Sequence, residues 1–165
     1  METRGTPVHR RAARAPRLFT AQEANATLPL VRAIVQDITQ LAGDLVGRRE
    51  RLSLLLARNR HQPQDLYGEE LAQIEEVLER DSRQLREYAE ELQALGVELK
   101  SALEGLVDFP AMREGRRVCL CWKLGEAEVA HWHELDAGFQ GRQPLSGGGP
   151  PHADAFSHHS RRSRG

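Results

Sequence analysis

Two histidines near the C-terminal end of the chain are the residues whose type and spacing best suit metal chemistry. His131 and His133 are separated by one residue, and Asp136 follows three positions later. Residues two apart in a β-strand point to the same face, so the two imidazoles would lie side by side. With a carboxylate they form a common ligand set for zinc or iron. The competing interpretation is that Trp132 packs inward, so both histidines face solvent and only form hydrogen bonds. A further ligand could come from one of three acidic residues, Glu126, Glu128 or Glu134.

The two cysteines of the chain, Cys119 and Cys121, are also two residues apart. In a strand they would point the same way, and a disulfide across one intervening residue would be strained. We therefore expect reduced thiols, which are typical of a reducing compartment. Ordinary burial of small thiols needs no further role. If both thiols face the same pocket as the histidines, a mixed thiolate and imidazole zinc site becomes the alternative.

A glycine-containing segment, 136–142, could form a loop that binds an anion. It places Gly138 and Gly141 around Phe139 and ends at Arg142, so exposed backbone amides and one positive charge would be available. The alternative is a turn that docks Phe139 on the core. The sequence contains no Walker loop, dinucleotide fingerprint or serine nucleophile elbow. It therefore assigns no catalytic residue and favours a protein that is not an enzyme.

Two apolar ladders predict the helices that support these residues. Apolar positions recur alternately four and three residues apart over 31–56 and 71–95. The mean of about 3.5 residues is typical of helices packed side by side. The connection over 57–68 is short, so the helices must be antiparallel. Each ladder is broken once, by Arg49 and by Asp81. These two residues would form one ion pair that fixes the register, or each would reach solvent at the edge of the bundle.

The first helix should begin at a capping box formed by Thr20 and Glu23. Pro29 lies well inside the helical pattern, and we expect a kinked but continuous helix; a short helix ending before Pro29 is the alternative. The apolar face of this helix, which also includes Leu30 and Leu54, is broader than one partner helix can cover. We therefore predict a homodimer in which two hairpins form a four-helix bundle.

The apolar period changes after the second helix, which should end near Leu95-Gly96. Segments 106–110, 118–122 and 128–134 predict an antiparallel meander of two or three strands. The predicted fold class is mainly α: a long antiparallel helical hairpin with a kinked first helix and a small C-terminal antiparallel β-meander.

Charge and composition divide the chain into a single domain, 18–145, between a disordered basic arm, 1–17, and a disordered tail, 146–165. The arm carries five arginines against one glutamate, whereas the whole chain has a net charge of −1. The domain is therefore acidic, which is a poor surface for nucleic acid. No apolar run could span a membrane and no signal peptide is visible, so we expect a cytoplasmic protein. An arginine-rich start is also typical of a mitochondrial transit peptide.

Several short motifs occur in a characteristic order. They are Phe19-Thr20, Glu23-Ala-Asn25, Leu28-Pro29, Gly105-Leu-Val-Asp-Phe-Pro110, Cys121-Trp122-Lys-Leu-Gly-Glu126, Trp132-His133 and Asp136-Ala-Gly-Phe139-Gln-Gly-Arg142. In these motifs residues 18–145 resemble a widespread bacterial family of small uncharacterised proteins, domain of unknown function 2203. The resemblance implies a helical region followed by a compact C-terminal motif, and it implies no activity.

The first functional hypothesis is a non-enzymatic, dimeric helical protein that acts through protein contacts. The alternative is a metal-binding protein or small metalloenzyme that uses His131, His133 and Asp136, with zinc or iron as its cofactor. Nucleic-acid binding through the basic arms ranks last.

Overall fold

A computed structural model describes residues 15–60 and 68–146, and it contains a helical hairpin followed by an antiparallel sheet. The helices are α1 (Ala21–Arg58) and α2 (Gly68–Ala94). The strands follow as β1 (Glu98–Ser101), β2 (Leu106–Arg113), β3 (Arg116–Lys123), β4 (His131–Glu134) and β5 (Gln143–Pro144). Neither helix has, among the described residues, an apolar stretch long enough to cross a bilayer.

Helix α1 begins at the predicted cap and is continuous. The Thr20 hydroxyl accepts a hydrogen bond from the backbone N–H of Glu23 at 3.1 Å. The helix passes through Pro29 without interruption, so the alternative of two separate helices is wrong. Its buried residues lie between Ala24 and Leu45, and none of the thirteen residues after Leu45 is buried. The first part of α1 therefore contributes to the core, and the last part extends beyond it.

Helix α2 ends as the glycine predicts. Gly96 has a φ of +85°, a conformation that glycine adopts without steric cost. Its N–H donates to the carbonyl of Gln93 at 2.9 Å, and the N–H of Val97 donates to that of Leu92 at 3.0 Å. These two bonds define a Schellman motif. Val97 and Leu92 also pack in the core, so the motif directs the chain from the helix into β1.

Each of the two alternatives for Arg49 and Asp81 holds for one residue: Asp81 forms an ion pair, but with Arg48, and Arg49 reaches solvent. Asp81 itself is buried. Arg48 lies three residues after the buried Leu45, on the side of α1 that faces α2. Arg49 lies about 100° farther round the helix, at 3.6 residues per turn.

The five strands form a meander in the order β1-β2-β3-β4-β5, with every neighbouring pair antiparallel. Because side chains alternate between the faces of a strand, one face of the sheet can be apolar throughout. This inner face packs against the first part of α1 in a single core, to which the sheet contributes Val107, Phe109, Ala111, Val118, Leu120, Trp122 and Trp132. The segment before α1 joins the same core, since the Phe19 ring meets Phe109 edge to face at 5.2 Å.

The predicted class, mainly α with a small meander, is wrong because the sheet has five strands and provides much of the core. A helical hairpin followed by an antiparallel meander does describe the order of elements. The prediction ended a strand at Pro110, but this residue lies within β2. Beyond Asp108, β2 has no partner on the β1 side. There the carbonyl of Pro110 accepts a hydrogen bond from the N–H of Phe19 at 2.7 Å, so the missing proline N–H costs no ladder bond.

Three further predictions lie largely or wholly outside the described residues. They are the disorder of the arm, 1–17, the disorder of the tail, 146–165, and most of the connection between the helices. Within the described part of the arm, the Arg17 guanidinium lies 4.3 Å from the centre of the Phe19 ring and donates to the carbonyl of Leu95.

Candidate metal centre

Polar side chains occupy the outer face of the sheet, which is the face turned away from the helices. Asp108 on β2 is paired with Cys121 on β3, and Cys121 is paired with His131 on β4. Cys119 is paired with His133 in the next row. Cross-strand partners point to the same face, so strand pairing brings a carboxylate, two thiols and two imidazoles together on this face.

Three of these groups form a buried cluster. One ligand atom each from Asp108, Cys121 and His133 lie within 4.8 Å of one another. These residues are 2%, 0% and 2% exposed, although they face away from the core. A cleft of about 220 Å³ adjoins the cluster and is lined by Asp108 and His133 together with Leu135, Gly138 and Phe139, among others. The chain that follows β4 therefore covers the site and leaves a narrow approach to it.

The hydrogen bonds of His133 limit what can lie between it and Asp108. Its Nδ1 is 2.7 Å from the backbone carbonyl oxygen of Glu134, which can only accept, so Nδ1 carries a proton. Its Nε2 is 3.0 Å from Oδ1 of Asp108. With Nδ1 protonated, a neutral ring would point a lone pair at the carboxylate. The contact therefore needs a second proton or a cation between the two atoms.

Both thiols are held in the neutral form. Burial, and after it the negative charge of Asp108, raise the pKa of the Cys121 thiol to about 12. Burial likewise raises the pKa of Cys119 to about 11, with the same carboxylate contributing. Both cysteines are free. A thiol with a raised pKa is a poor nucleophile, so this environment does not suit covalent catalysis. A divalent cation would reverse the balance because it stabilises the thiolate.

The ligands predicted from sequence are only partly brought together. His133 lies in the buried cluster, but His131 is half-buried, with Nδ1 3.6 Å from Oε2 of Glu126. Asp136 is exposed and lies on the lip of the cleft. Trp132 packs inward, 8% exposed, as the competing interpretation expected.

Asp108 is the residue that sequence reasoning missed. Its signal was a charged residue in the middle of an otherwise apolar strand segment, Leu106-Val-Asp-Phe. Such a residue needs a partner when it is buried. The identity of that partner depends on strand pairing, which the sequence alone does not give.

The predicted anion-binding loop, 136–142, is attached to the strands beside the buried cluster by Arg142. The Arg142 guanidinium donates to Oε1 of Glu126 at 2.6 Å and to the carbonyl of Cys121 at 3.4 Å. It also lies 4.6 Å from the centre of the Phe139 ring, so Phe139 packs on this cation rather than on the inner face. Burial opposes ionisation of Glu126, but the hydrogen bond from Arg142 and one from the Lys123 backbone outweigh it, so the pKa of Glu126 is lowered.

The remaining motif residue, Trp122, helps to fix Glu126 in the turn that follows β3. Its indole N–H donates to the carbonyl of Glu126 at 3.1 Å, and Oε1 of Glu126 accepts the N–H of Lys123 at 2.6 Å. Because Glu126 neutralises the charge of Arg142, segment 136–142 is poorly suited to binding an anion. Its contacts instead hold the chain after β4 in place over the buried cluster.

The comparisons with known proteins identify a family but no activity. Residues 17–145 match the model of a family described as an uncharacterized conserved protein, DUF2203, and the chain belongs to that family. No curated protein and no solved structure shows significant similarity to the chain.

Proposed function

We propose that this protein binds a divalent metal ion, with zinc as the preferred ion, through Asp108, Cys121 and His133. The observation that carries the proposal is the convergence of three buried, chemically different donor atoms within 4.8 Å. A thiolate, an imidazole and a carboxylate together suit zinc, whereas iron(II) sites more often have two histidines and a carboxylate.

The orientation of His133 supports a metal at this position. Histidine ligands usually donate their second ring N–H to a carbonyl or carboxylate, which fixes the ring. Here Nδ1 is held by the carbonyl of Glu134 at 2.7 Å, and Nε2 points into the cluster. Ligand atoms around tetrahedral zinc are about 3.3–3.8 Å apart, given bonds of about 2.0–2.3 Å. Side-chain movements of about 1 Å would therefore bring the three atoms to bonding distance.

The fourth position determines whether the site is structural or reactive. Cys119 is on the same face, opposite His133 in the register, and its thiol interacts with Asp108. If Cys119 completed the shell, the site would be closed, as in structural zinc centres. If the position faced the cleft, it could hold water or a small ligand, as in catalytic centres.

Metal analysis of protein purified without an affinity tag tests the proposal. We expect about one zinc ion per chain after reconstitution, and loss of that ion in His133→Ala and in Cys121→Ser. The matched controls are His131→Ala and Asp136→Ala, which change the ligands that the sequence suggested and should retain the metal. Circular dichroism confirms that each variant is folded. Protein that takes up no zinc, or zinc that survives His133→Ala with Cys121→Ser, would refute the proposal.

A second candidate function concerns the helical hairpin, which we propose acts through contact with another copy of the chain. It is supported by the lack of buried residues in 46–58 of α1 and in 68–80 of α2. Apolar side chains on facing sides of the two helices remain only half-buried there, among them Leu55 and Ile74. Burial of such side chains would favour association. Sedimentation equilibrium tests the candidate, since a mass that stays monomeric at all concentrations would exclude it.

A further inference from the structure

We propose that two chains associate in parallel through one side of the hairpin, so that α1 of each chain lies on α2 of the other. This inference rests on the second candidate function, association with another copy, and specifies its geometry. The surface involved is a groove of about 460 Å³, termed the distal groove, which spans both helices and is lined by Arg48, Arg51, Leu55, Glu70, Gln73, Ile74 and Val77.

The floor of the distal groove is apolar and is shared by the two helices. Arg48 lies level with Asp81 because the two are ion-paired. Seven residues farther from the sheet along each antiparallel helix, Leu55 is therefore level with Ile74. Both side chains are only half-buried. A second apolar floor placed on this one would bury both, as in the centre of a four-helix bundle.

The two sides of the groove carry opposite charge. Residues 46–58 of α1 contain four arginines and one glutamate, whereas residues 68–80 of α2 contain five glutamates and one arginine. Within the described residues, no ion pair joins these arginines to these glutamates. Arg48 pairs with Asp81, and Glu79 pairs with Arg83 of its own helix. The other arginines of 46–58 and the other glutamates of 68–80 are therefore available to a partner chain.

Symmetry then selects one arrangement. If the two-fold axis runs parallel to the hairpin, α1 of each chain lies over α2 of the other, and arginines face glutamates at both contacts. If the axis runs across the hairpin, α1 lies over α1 and α2 over α2, so like charges meet. Flanking charges of this kind determine partner and orientation in helical bundles. The first arrangement also places both sheets at the same end of the dimer.

Helical spacing indicates which charges meet. Arg58 follows Arg51 by seven residues and so continues its side of α1, while Glu76 follows the groove residue Gln73 by three. In the register set by Arg48 and Asp81, Arg58 is level with residue 71, beside Glu70, and Arg51 is level with residue 78, near Glu76. The contact is about 20 Å long, since it spans thirteen residues at 1.5 Å each.

Two charge-reversed variants, each measured alone and then mixed, test the arrangement. One variant carries Arg51→Glu and Arg58→Glu, and the other carries Glu70→Arg and Glu76→Arg. Each alone should dimerise at least about tenfold more weakly than the unaltered chain, because like charges then face each other. An equimolar mixture should recover dimers. In a mixed dimer the acidic α1 of the first variant faces the basic α2 of the second, and the basic α1 of the second faces the acidic α2 of the first. Pairing of these charges within one chain could not produce this recovery. Analytical ultracentrifugation with one variant fluorescently labelled measures all three states.

Each outcome decides a separate point. Arg49→Glu, an exposed change outside the distal groove, should leave the dissociation constant within about threefold. An unaltered chain that stays monomeric at hundreds of micromolar overturns both the second candidate function and this geometry. An unaltered chain that dimerises, with a mixture that stays monomeric, overturns the geometry alone. If α1 lay on α1, neither variant would dimerise more weakly than the unaltered chain, and the α1 variant would bind the unaltered chain more tightly than the unaltered chain binds itself; this pair of results would overturn the geometry.

Discussion

The Asp108–His133 contact gives the sharpest test of the buried cluster, and a double-mutant cycle measures it. Each residue is 2% exposed, and the two atoms are 3.0 Å apart. Removal of one partner from a buried, hydrogen-bonded ion pair typically costs about 3–5 kcal/mol because the other is left uncompensated. In zinc-stripped protein we therefore expect Asp108→Ala and His133→Ala each to lower the free energy of unfolding by about 3 kcal/mol.

The variant with both Asp108→Ala and His133→Ala measures the coupling energy between the two residues. With both groups gone, no charge is left uncompensated, so we expect a loss of about 4 kcal/mol rather than 6, a coupling of about 2 kcal/mol. Urea denaturation followed by tryptophan fluorescence is the assay, because Trp122 and Trp132 both lie in the sheet core. The matched control cycle combines Asp108→Ala with His131→Ala, which is on the same strand and face. Coupling below about 0.5 kcal/mol between Asp108 and His133 would refute the argument that they share a proton.

Three further predictions concern pH and backbone geometry. Zinc affinity should rise with pH, by about tenfold per unit, because the metal displaces the proton of the Cys121 thiol, whose pKa burial raises to about 12; competition against a chelator at three pH values measures it, and a flat profile contradicts it. Stability of the metal-free protein should fall as pH rises above about 9, since the folded pKa values of about 11 for Cys119 and about 12 for Cys121 exceed those of an unfolded thiol; urea titrations of the unaltered chain should lose this slope in the Cys119→Ala, Cys121→Ala variant. Gly105→Ala should destabilise by about 2–4 kcal/mol, because φ is +64° and a Cβ would lie 2.6 Å from that of Leu124, whereas Gly125→Ala, with φ of +103° and open space, should cost only about 1 kcal/mol. Equal losses in the two glycine variants would show that the clash contributes nothing.

The helical hairpin could be predicted from sequence because its signals are local. Ladder spacing, the Thr20 cap and the glycine at Gly96 each depend on a few consecutive residues. The pairing of Asp81 could not be fixed to one residue, since it depends on how the connection positions the two helices. A shift of one residue exchanges Arg49 for Arg48, and both are arginine.

The sheet and the candidate metal site were harder to predict from the sequence, for a different reason. β1 has four residues and β5 has two, too few for a period of two to be recognised. The spacing of His131 and His133 correctly places both on one face, but it does not determine which ring reaches Asp108. The strand register places His131 in the row of Asp108 and Cys121, yet His133, one row away, makes the contact diagonally. Register lies in the pairing of β2 with β3 and of β3 with β4. The candidate ligands come from three strands, whereas the ligands predicted from sequence, His131, His133 and Asp136, lie in β4 and just after it.

The two proposed functions occupy separate parts of the fold, and this separation has a consequence. The metal cluster lies on the outer face of the sheet, covered by the chain after β4, and none of the residues that line its cleft comes from α1 or α2. The distal groove lies in the half of the hairpin beyond Leu45, where the helices no longer contact the core. Removal of zinc should therefore leave the dissociation constant of the dimer unchanged, and charge reversal in the distal groove should leave zinc content unchanged. If the two were coupled, α1 or α2 would have to transmit the effect, since each runs as one continuous helix from the distal groove to the sheet core.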